Sequence, residues 1–139
     1  MTETKIYQKL KQLFDKNNFG EITRIESGST VLGIPDCYYA SLKGCHGWIE
    51  LKQTKQSKNG KIKIPYRPGQ QRWLNFHAKL DLNIFVLLWL EGYFYLINKN
   101  FLIKEYLNLQ QLIMHCCCIG SLENTLPTIM LQWLNGGSN

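Results

Sequence analysis

The chain lacks a hydrophobic run long enough to cross a membrane. Its longest apolar stretch, Ile84 to Leu90, is far shorter than the ~20 residues that a spanning helix needs. The first residues are polar and lysine-rich, without the apolar segment of a secretory signal. These absences predict a cytoplasmic protein that does not act at a membrane.

The five cysteines lack the spacing of a disulfide framework or of a zinc site. Three of them, Cys116 to Cys118, are consecutive, so neighbours are poorly placed to pair with each other. Cys37, Cys45-His46 and His115 are of zinc-binding types, but no Cys-x-x-Cys pair accompanies them. Buried free thiols in a reducing compartment are therefore favoured over a structural zinc.

Acidic residues are almost missing between Lys43 and Lys79. This segment has nine basic residues and one acid, Glu50, so its net charge is +8 in a chain of net charge +6. Such a segment suits a polyanion, because lysine and arginine neutralise phosphates. A solvated lysine-rich loop is the alternative that charge alone leaves open. The length of 139 residues is enough for one domain with its own core.

The stretch that follows Pro35-Asp36 is predicted to form a β-hairpin. Cys37 to Leu42 and Gly47 to Thr54 are rich in strand formers, and the residues between them favour a turn. If Leu42 and Trp48 close this turn, Asp36 faces the stretch from Lys52 to Thr54.

Two carboxylates and a lysine come together at one end of this hairpin. Side chains alternate along a strand, so Glu50 and Lys52 share one face, with Asp36 beside them. Paired carboxylates attract Mg²⁺, which can polarise a phosphate and activate a bound water. Lys52 could orient that water or stabilise charge on phosphorus. The residues therefore predict metal-assisted phosphodiester hydrolysis.

The same residues resemble a known signature. Pro35-Asp36 followed by Glu50-Leu51-Lys52 is similar to the motif of the PD-(D/E)XK nuclease superfamily. The segment from Ile64 to Leu74 resembles the one that follows this motif in archaeal-type Holliday junction resolvases and VRR-NUC domains. Ser27-Gly28-Ser29 resembles the loop that precedes the catalytic aspartate of the resolvases. The resemblance covers roughly residues 2–98.

The resemblance implies an α/β fold with a restriction-endonuclease-like core, in which helices flank a central mixed β-sheet. It implies a single nuclease domain over residues 1–139, with a core at about 2–98 and a C-terminal helical extension at about 99–135. Asp36 and Glu50 would hold Mg²⁺, for which Mn²⁺ could substitute. Lys52 and Gln70 would complete the catalytic set. A glutamate of the first helix often joins the metal site, which favours Glu3, with Glu21 and Glu26 as rivals.

DNA, in particular branched or junction DNA, is the partner that the resemblance and the charge together predict. The resemblance also implies a homodimer and a role in recombination or repair. The usage of lysine, asparagine and isoleucine indicates an AT-rich genome, such as that of a virus. The residues predicted to contact nucleic acid are Ser27, Ser29, Lys55, Lys58, Lys61, Lys63, Arg67 and Arg72.

Apolar periodicity and turn signals predict the remaining elements. Gln70, Trp73, Leu74 and His77 share the inward face of one predicted helix, and Asn59-Gly60 favours a turn between lysine-rich arms. The predicted helices span 2–16, 68–80, 101–118 and 126–134, and the further strands span 21–27, 83–90 and 93–97.

Three functions remain open at the level of sequence. The first is a metal-dependent DNA endonuclease, selective for structure as in the resolvases or with flap or restriction-type specificity. The second is a non-catalytic nucleic-acid-binding module on the same fold. The third is a structural interaction protein in which Lys52 merely pairs with Glu50 or Asp36.

Overall fold

Helices and strands alternate along the chain. The computed structural model describes residues 1–25, 33–80, 82–98, 105–121 and 126–136. None of the helices within these ranges is long and apolar enough to span a bilayer. The helices are α1 (Glu3–Lys16), α2 (Gln70–Ala78), α3 (Leu109–His115) and α4 (Leu126–Leu134). The strands are β1 (Gly20–Arg24), β2 (Cys37–Ser41), β3 (His46–Thr54), β4 (Lys61–Lys63), β5 (Asn83–Leu90), β6 (Tyr93–Asn98), β7 (Tyr106–Asn108) and β8 (Cys116–Gly120).

Six strands form one mixed sheet in the order β1-β2-β3-β5-β6-β8. Strands β3 and β5 run parallel, and α2 lies in the crossover between them. The other neighbours in this sheet are antiparallel, and β4 pairs with β7 in a separate small sheet. The predicted α/β fold with a central mixed sheet flanked by helices is therefore confirmed.

The sheet separates two hydrophobic cores. Phe85 and Leu87 of β5 face a core built with α1 and α4, whereas Ile84, Val86 and Leu88 face a core built with α2 and α3. The continuous apolar run of β5 is therefore covered on both faces, as its pattern predicts. Since alternation along β3 places Ile49 and Leu51 in the first core, Glu50 and Lys52 point to the α2 side.

Helix α1 follows its sequence signals closely. The Thr2 hydroxyl caps the helix by accepting a hydrogen bond from the Lys5 amide at 3.2 Å. Its apolar side chains Ile6, Leu10, Leu13 and Phe14 are buried against the sheet, with Tyr7 at the margin. Helix α2 is shorter than predicted, because Gly69 adopts a left-handed conformation directly before Gln70.

The prediction of one helix over 101–118 is wrong. Residues 101–104 lie outside the described part of the chain, and the rest divides into β7, α3 and β8. The side chain of Asn108 caps α3, so this helix begins only at Leu109. Strand β8 pairs with β6 at the edge of the sheet. The C-terminal region is therefore not purely helical, and Tyr39 of β2 donates a hydrogen bond to the Leu134 carbonyl at 2.8 Å.

Candidate active site

The register of the β2–β3 hairpin differs from the predicted one. Tyr38 pairs with Trp48, and the turn closes at Ser41, whose amide donates to the Cys45 carbonyl at 2.7 Å. The predicted turn was too long, because the tight turn after Ser41 uses a left-handed Gly44 at φ 88°. In the observed register Asp36 meets Glu50, not the stretch from Lys52 to Thr54.

Main-chain N–H groups hold the carboxylates of Asp36 and Glu50 in place. The Asp36 amide donates to Oε1 of Glu50 at 2.8 Å, and the Leu51 amide donates to Oδ2 of Asp36 at 2.9 Å. Each carboxylate thus has one oxygen held by a main-chain N–H. The other two oxygens both face Arg67, whose Nη2 lies 3.4 Å from Asp36 Oδ1 and 3.8 Å from Glu50 Oε2. The two carboxylates therefore converge on one cationic group.

Glu50 also contacts two other predicted site residues, Lys52 and Gln70. Lys52 Nζ lies 3.2 Å from Oε2 of Glu50, and both side chains are almost wholly buried, at 2% and 0% exposure. The side-chain amide of Gln70 donates a hydrogen bond to the same oxygen of Glu50. Its Oε1 accepts a hydrogen bond from the main-chain N–H of Arg67 at 2.9 Å. Gln70 is buried and hydrogen-bonded at both ends, as expected for a buried amide. The structure therefore brings together the four residues that the sequence predicts as catalytic.

Burial shapes the electrostatics of this cluster. Desolvation raises the pKa of Glu50 well above its ordinary value, the nearby Asp36 raises it further, and Lys52 opposes the shift. The Tyr66 ring lies 5.8 Å from Lys52 Nζ, and burial with the Glu50 charge raises the pKa of its hydroxyl. A buried ion pair is often no more stabilising than a hydrophobic pair of similar volume, although removal of one partner is costly. A desolvated set of perturbed charges at one sheet end is instead typical of functional sites.

Glu3 is the glutamate that α1 brings toward Asp36. Half-burial raises the pKa of Glu3, and the Asp36 charge raises it further, while Lys52 and Arg67 oppose this effect. Glu21 is exposed and pairs with Ala40, which is four residues along β2 from Asp36, or about 13 Å. Glu26 lies outside the described residues. Of the two described candidates, the fold therefore brings Glu3 toward the site and Glu21 away from it.

Two glycines let the chain reach this arrangement. Gly33 has φ 92°, and a Cβ added there would lie 2.5 Å from the Gly69 carbonyl oxygen. Gly69 itself has φ 85° and directly precedes Gln70. Side chains at these positions would be strained, so the glycines keep the segment before Asp36 against the start of α2.

The residues predicted to contact nucleic acid lie in different surroundings. Ser27 and Ser29 lie outside the described residues. Arg67 contacts the carboxylates, a position that the sequence did not indicate. Lys61 and Lys63 lie 5.2 and 5.7 Å from the Tyr106 ring, and Lys63 also lies 3.8 Å from Glu105. This contact with β7 depends on long-range pairing, for which the sequence carries no local signal. All the described members are exposed: Lys55, Lys58, Lys61, Lys63, Arg67 and Arg72.

The Asp36–Glu50 pair fits a hard divalent cation. Its two inward oxygens are of the type that Mg²⁺ prefers, and one guanidinium nitrogen already approaches both. Within the described ranges no group of three or more His, Cys, Asp or Glu side chains is assembled for a metal. Asp36 and Glu50 would therefore share a cation with further ligands, and Glu3, whose pKa the Asp36 charge raises, is the acidic candidate on α1.

The fold is shared with a solved nuclease structure. The chain resembles Archaeoglobus fulgidus Hjc, a Holliday junction resolvase from an archaeal hyperthermophile, whose structure was determined at 1.6 Å resolution. The TM-score is 0.58 at 15% sequence identity, and the match covers 80% of this chain and 92% of Hjc. At this identity the likeness concerns the fold, which is restriction-endonuclease-like. No protein-family model matches the chain, and no curated protein matches its sequence.

Proposed function

We propose that this chain is a metal-dependent DNA endonuclease that hydrolyses phosphodiester bonds. One observation carries the proposal: the carboxylates of Asp36 and Glu50, each with one oxygen held by a main-chain N–H, direct their remaining oxygens to the Arg67 guanidinium beside the buried Lys52. The fold shared with a Holliday junction resolvase supports the same class of reaction.

Each residue of the cluster has a distinct part in this proposal. Asp36 and Glu50, together with Glu3, would hold Mg²⁺ or Mn²⁺. Such a cation polarises a phosphate oxygen and lowers the pKa of a bound water. Lys52 positions the attacking water or stabilises the charge that grows on phosphorus. Gln70 keeps the Glu50 carboxylate in place through its hydrogen bond. The half-exposed Arg67 leaves the carboxylates and contacts a DNA phosphate.

The substrate class follows from the distribution of charge. The exposed lysines around β4 would contact phosphates, which position DNA without reading its sequence. We therefore extend the proposal to a structure-selective enzyme that acts on four-way junctions as a homodimer in recombination or repair. A nuclease with flap or restriction-type specificity is the alternative enzyme. A non-catalytic module would not need the buried set of charges.

The proposal is tested by a cleavage assay on a labelled four-way junction and a linear duplex of matched sequence. Asp36→Asn keeps the shape of the side chain but removes its charge, so the cleavage rate should fall by about 10³-fold. Replacing Mg²⁺ by EDTA should abolish cleavage. The control is Asp15→Asn, because Asp15 is an exposed aspartate on α1 whose partner is Lys11.

The pattern of cleavage decides between the alternatives. Junction cleavage that requires both Mg²⁺ and Asp36 supports the resolvase-like enzyme, whereas equal cleavage of both DNAs keeps the nuclease and removes junction selectivity. DNA binding without cleavage in Mg²⁺ or Mn²⁺ would favour the non-catalytic module. Cleavage by Asp36→Asn at the wild-type rate would contradict the proposed site.

A further inference from the structure

The side chain of Arg67 bridges the two carboxylates only loosely. Its Nη2 lies 3.4 Å from Oδ1 of Asp36 and 3.8 Å from Oε2 of Glu50. Strong hydrogen bonds between charged groups are about 2.7–2.9 Å long, so neither contact has the length of a tight ion pair. The Arg67 side chain is also 51% exposed, and ion pairs open to solvent contribute little free energy. The guanidinium is therefore held by charge and can exchange with another cation.

Glu50 has a second cationic neighbour, which differs from Arg67 in both distance and burial. Lys52 Nζ lies closer to Oε2 of Glu50, at 3.2 Å, and its side chain is almost wholly buried. A buried ammonium that lost its carboxylate would be costly, whereas a half-exposed guanidinium is solvated as soon as it leaves. Of these two cations, Arg67 is therefore the one that can leave Glu50 at low cost.

Two hydrogen bonds fix the main chain of Arg67 beside the site. Its N–H donates to Oε1 of Gln70 at 2.9 Å, and its carbonyl accepts from the Gln70 N–H at 3.0 Å. Pro68 follows directly, and the residue before a proline is restricted to extended conformations. Because this anchor stays in place, rotation of the side chain alone can move the guanidinium between the carboxylates and the solvent.

A divalent cation at Asp36 and Glu50 would compete with this guanidinium. The oxygens that face Arg67 are those that no main-chain N–H holds, so both cations would interact with the same two atoms. Charges of the same sign about 4 Å apart repel each other, and a divalent ion carries twice the charge of the arginine. The fork of N–H donors that leaves the carboxylates matches the geometry of a phosphate.

We propose that Arg67 is an exchangeable counter-cation that couples metal binding to DNA binding. Arg67 leaves Asp36 and Glu50 when a divalent ion binds there, and its guanidinium then binds a DNA phosphate. The inference rests on the proposed nuclease function and adds to it a regulation of the same site. Such coupling is reciprocal, so DNA raises the affinity for the ion by the factor by which the ion raises the affinity for DNA.

The first test is a calorimetric titration of Mn²⁺ into the protein without DNA. Arg67→Gln removes the competing cation, so the affinity for Mn²⁺ should rise about fivefold. Arg67→Lys keeps the charge and should retain the wild-type affinity. The matched control is Lys63→Gln, because Lys63 is an exposed cation nearby in the chain that contacts Glu105 and Tyr106. Its loss should leave the affinity unchanged, which separates competition at the carboxylates from a general effect of net charge.

The second test measures the binding of duplex DNA by fluorescence anisotropy at several salt concentrations, in EDTA and in Ca²⁺. Ca²⁺ also takes oxygen ligands, and gel electrophoresis verifies that the DNA stays intact. One phosphate contact changes the slope of log K against log salt concentration by about 1. The change of slope between EDTA and Ca²⁺ should therefore be smaller by about 1 in Arg67→Gln than in the wild type. Lys63→Gln should show the wild-type change, because a phosphate contact of Lys63 would not depend on the ion.

An Mn²⁺ affinity that is unchanged or lowered in Arg67→Gln would overturn the inference, and so would equal changes of slope in Arg67→Gln and the wild type. With Mg²⁺-dependent cleavage that requires Asp36, either result would leave the nuclease proposal standing. The expected pattern in a protein that never cleaves DNA would support the exchange at Arg67 and overturn the nuclease. A wild type that binds no Mn²⁺ would overturn both.

Discussion

The charges of this protein occur in two different settings. At the end of the β2–β3 hairpin Lys52 and Glu50 are buried and hydrogen-bonded in a fixed geometry. On the segment around β4 the lysines are exposed, and Lys63 reaches Glu105 only at 3.8 Å. A buried charge must be held by its partners, whereas an exposed one is solvated and replaceable. The buried set is therefore the candidate for catalysis, whereas the exposed lysines are candidates for phosphate contacts alone.

Among the lysines of the two settings, the buried Lys52 should show the largest effect when it is removed. Lys52→Met leaves Glu50 buried without its amine partner, so the free energy of unfolding should fall by about 3 kcal/mol. Cleavage should fall by about 10²-fold or more, because the developing charge loses its stabilising group. Chemical denaturation and single-turnover cleavage measure the two effects.

The control for this variant is Lys11→Met. Lys11 pairs with Asp15 at 3.8 Å, but both side chains are more than half exposed, so its loss should cost less than about 1 kcal/mol. Equal destabilisation by the two variants would remove the distinction between the buried and the exposed setting.

A moderate effect is expected at the start of α1. Glu3→Gln removes the charge that is coupled to Asp36, so the affinity for Mn²⁺ should fall about 10-fold. Glu21→Gln should leave the affinity unchanged, because Glu21 is exposed and pairs with the far end of β2. Isothermal titration calorimetry compares the two variants, and the reverse order would assign the metal site to Glu21.

The smallest effect is expected from a single exposed lysine. Lys58→Ala should reduce the slope of log K against log salt concentration by about 1, because one phosphate contact is lost. Lys16→Ala removes the same charge from the C-terminal end of α1 and should not change the slope. A fluorescence-anisotropy titration of duplex DNA at several salt concentrations provides both slopes. Identical slopes for Lys58→Ala and wild type would remove Lys58 from the DNA contacts.

The local sequence pattern was sufficient to predict α1, β5 and the proximity of Asp36, Glu50 and Lys52. Strand alternation and helical periodicity act within a few residues, so these features are readable from sequence. The hairpin register was not, because it depends on the length of one turn around Gly44.

Long-range pairing accounts for the remaining differences. Cys116 to Gly120 form a strand because β6 offers a free edge, which no local pattern near the cysteines indicates. The approach of Arg67 to Asp36 likewise joins residues 31 apart in the chain. The sequence therefore predicted which residues come together in the candidate site, but not that an arginine would bridge the carboxylates.

The most direct test of the account is a calorimetric titration of Mn²⁺ into the protein without DNA. The wild type and Asp15→Asn should bind the ion with equal affinity, and Asp36→Asn should bind at least about 10-fold more weakly. That result would identify the hydrogen-bonded carboxylates as the metal site. Binding that is unchanged in Asp36→Asn, or absent from the wild type, would contradict the central claim that Asp36 and Glu50 form a cation site.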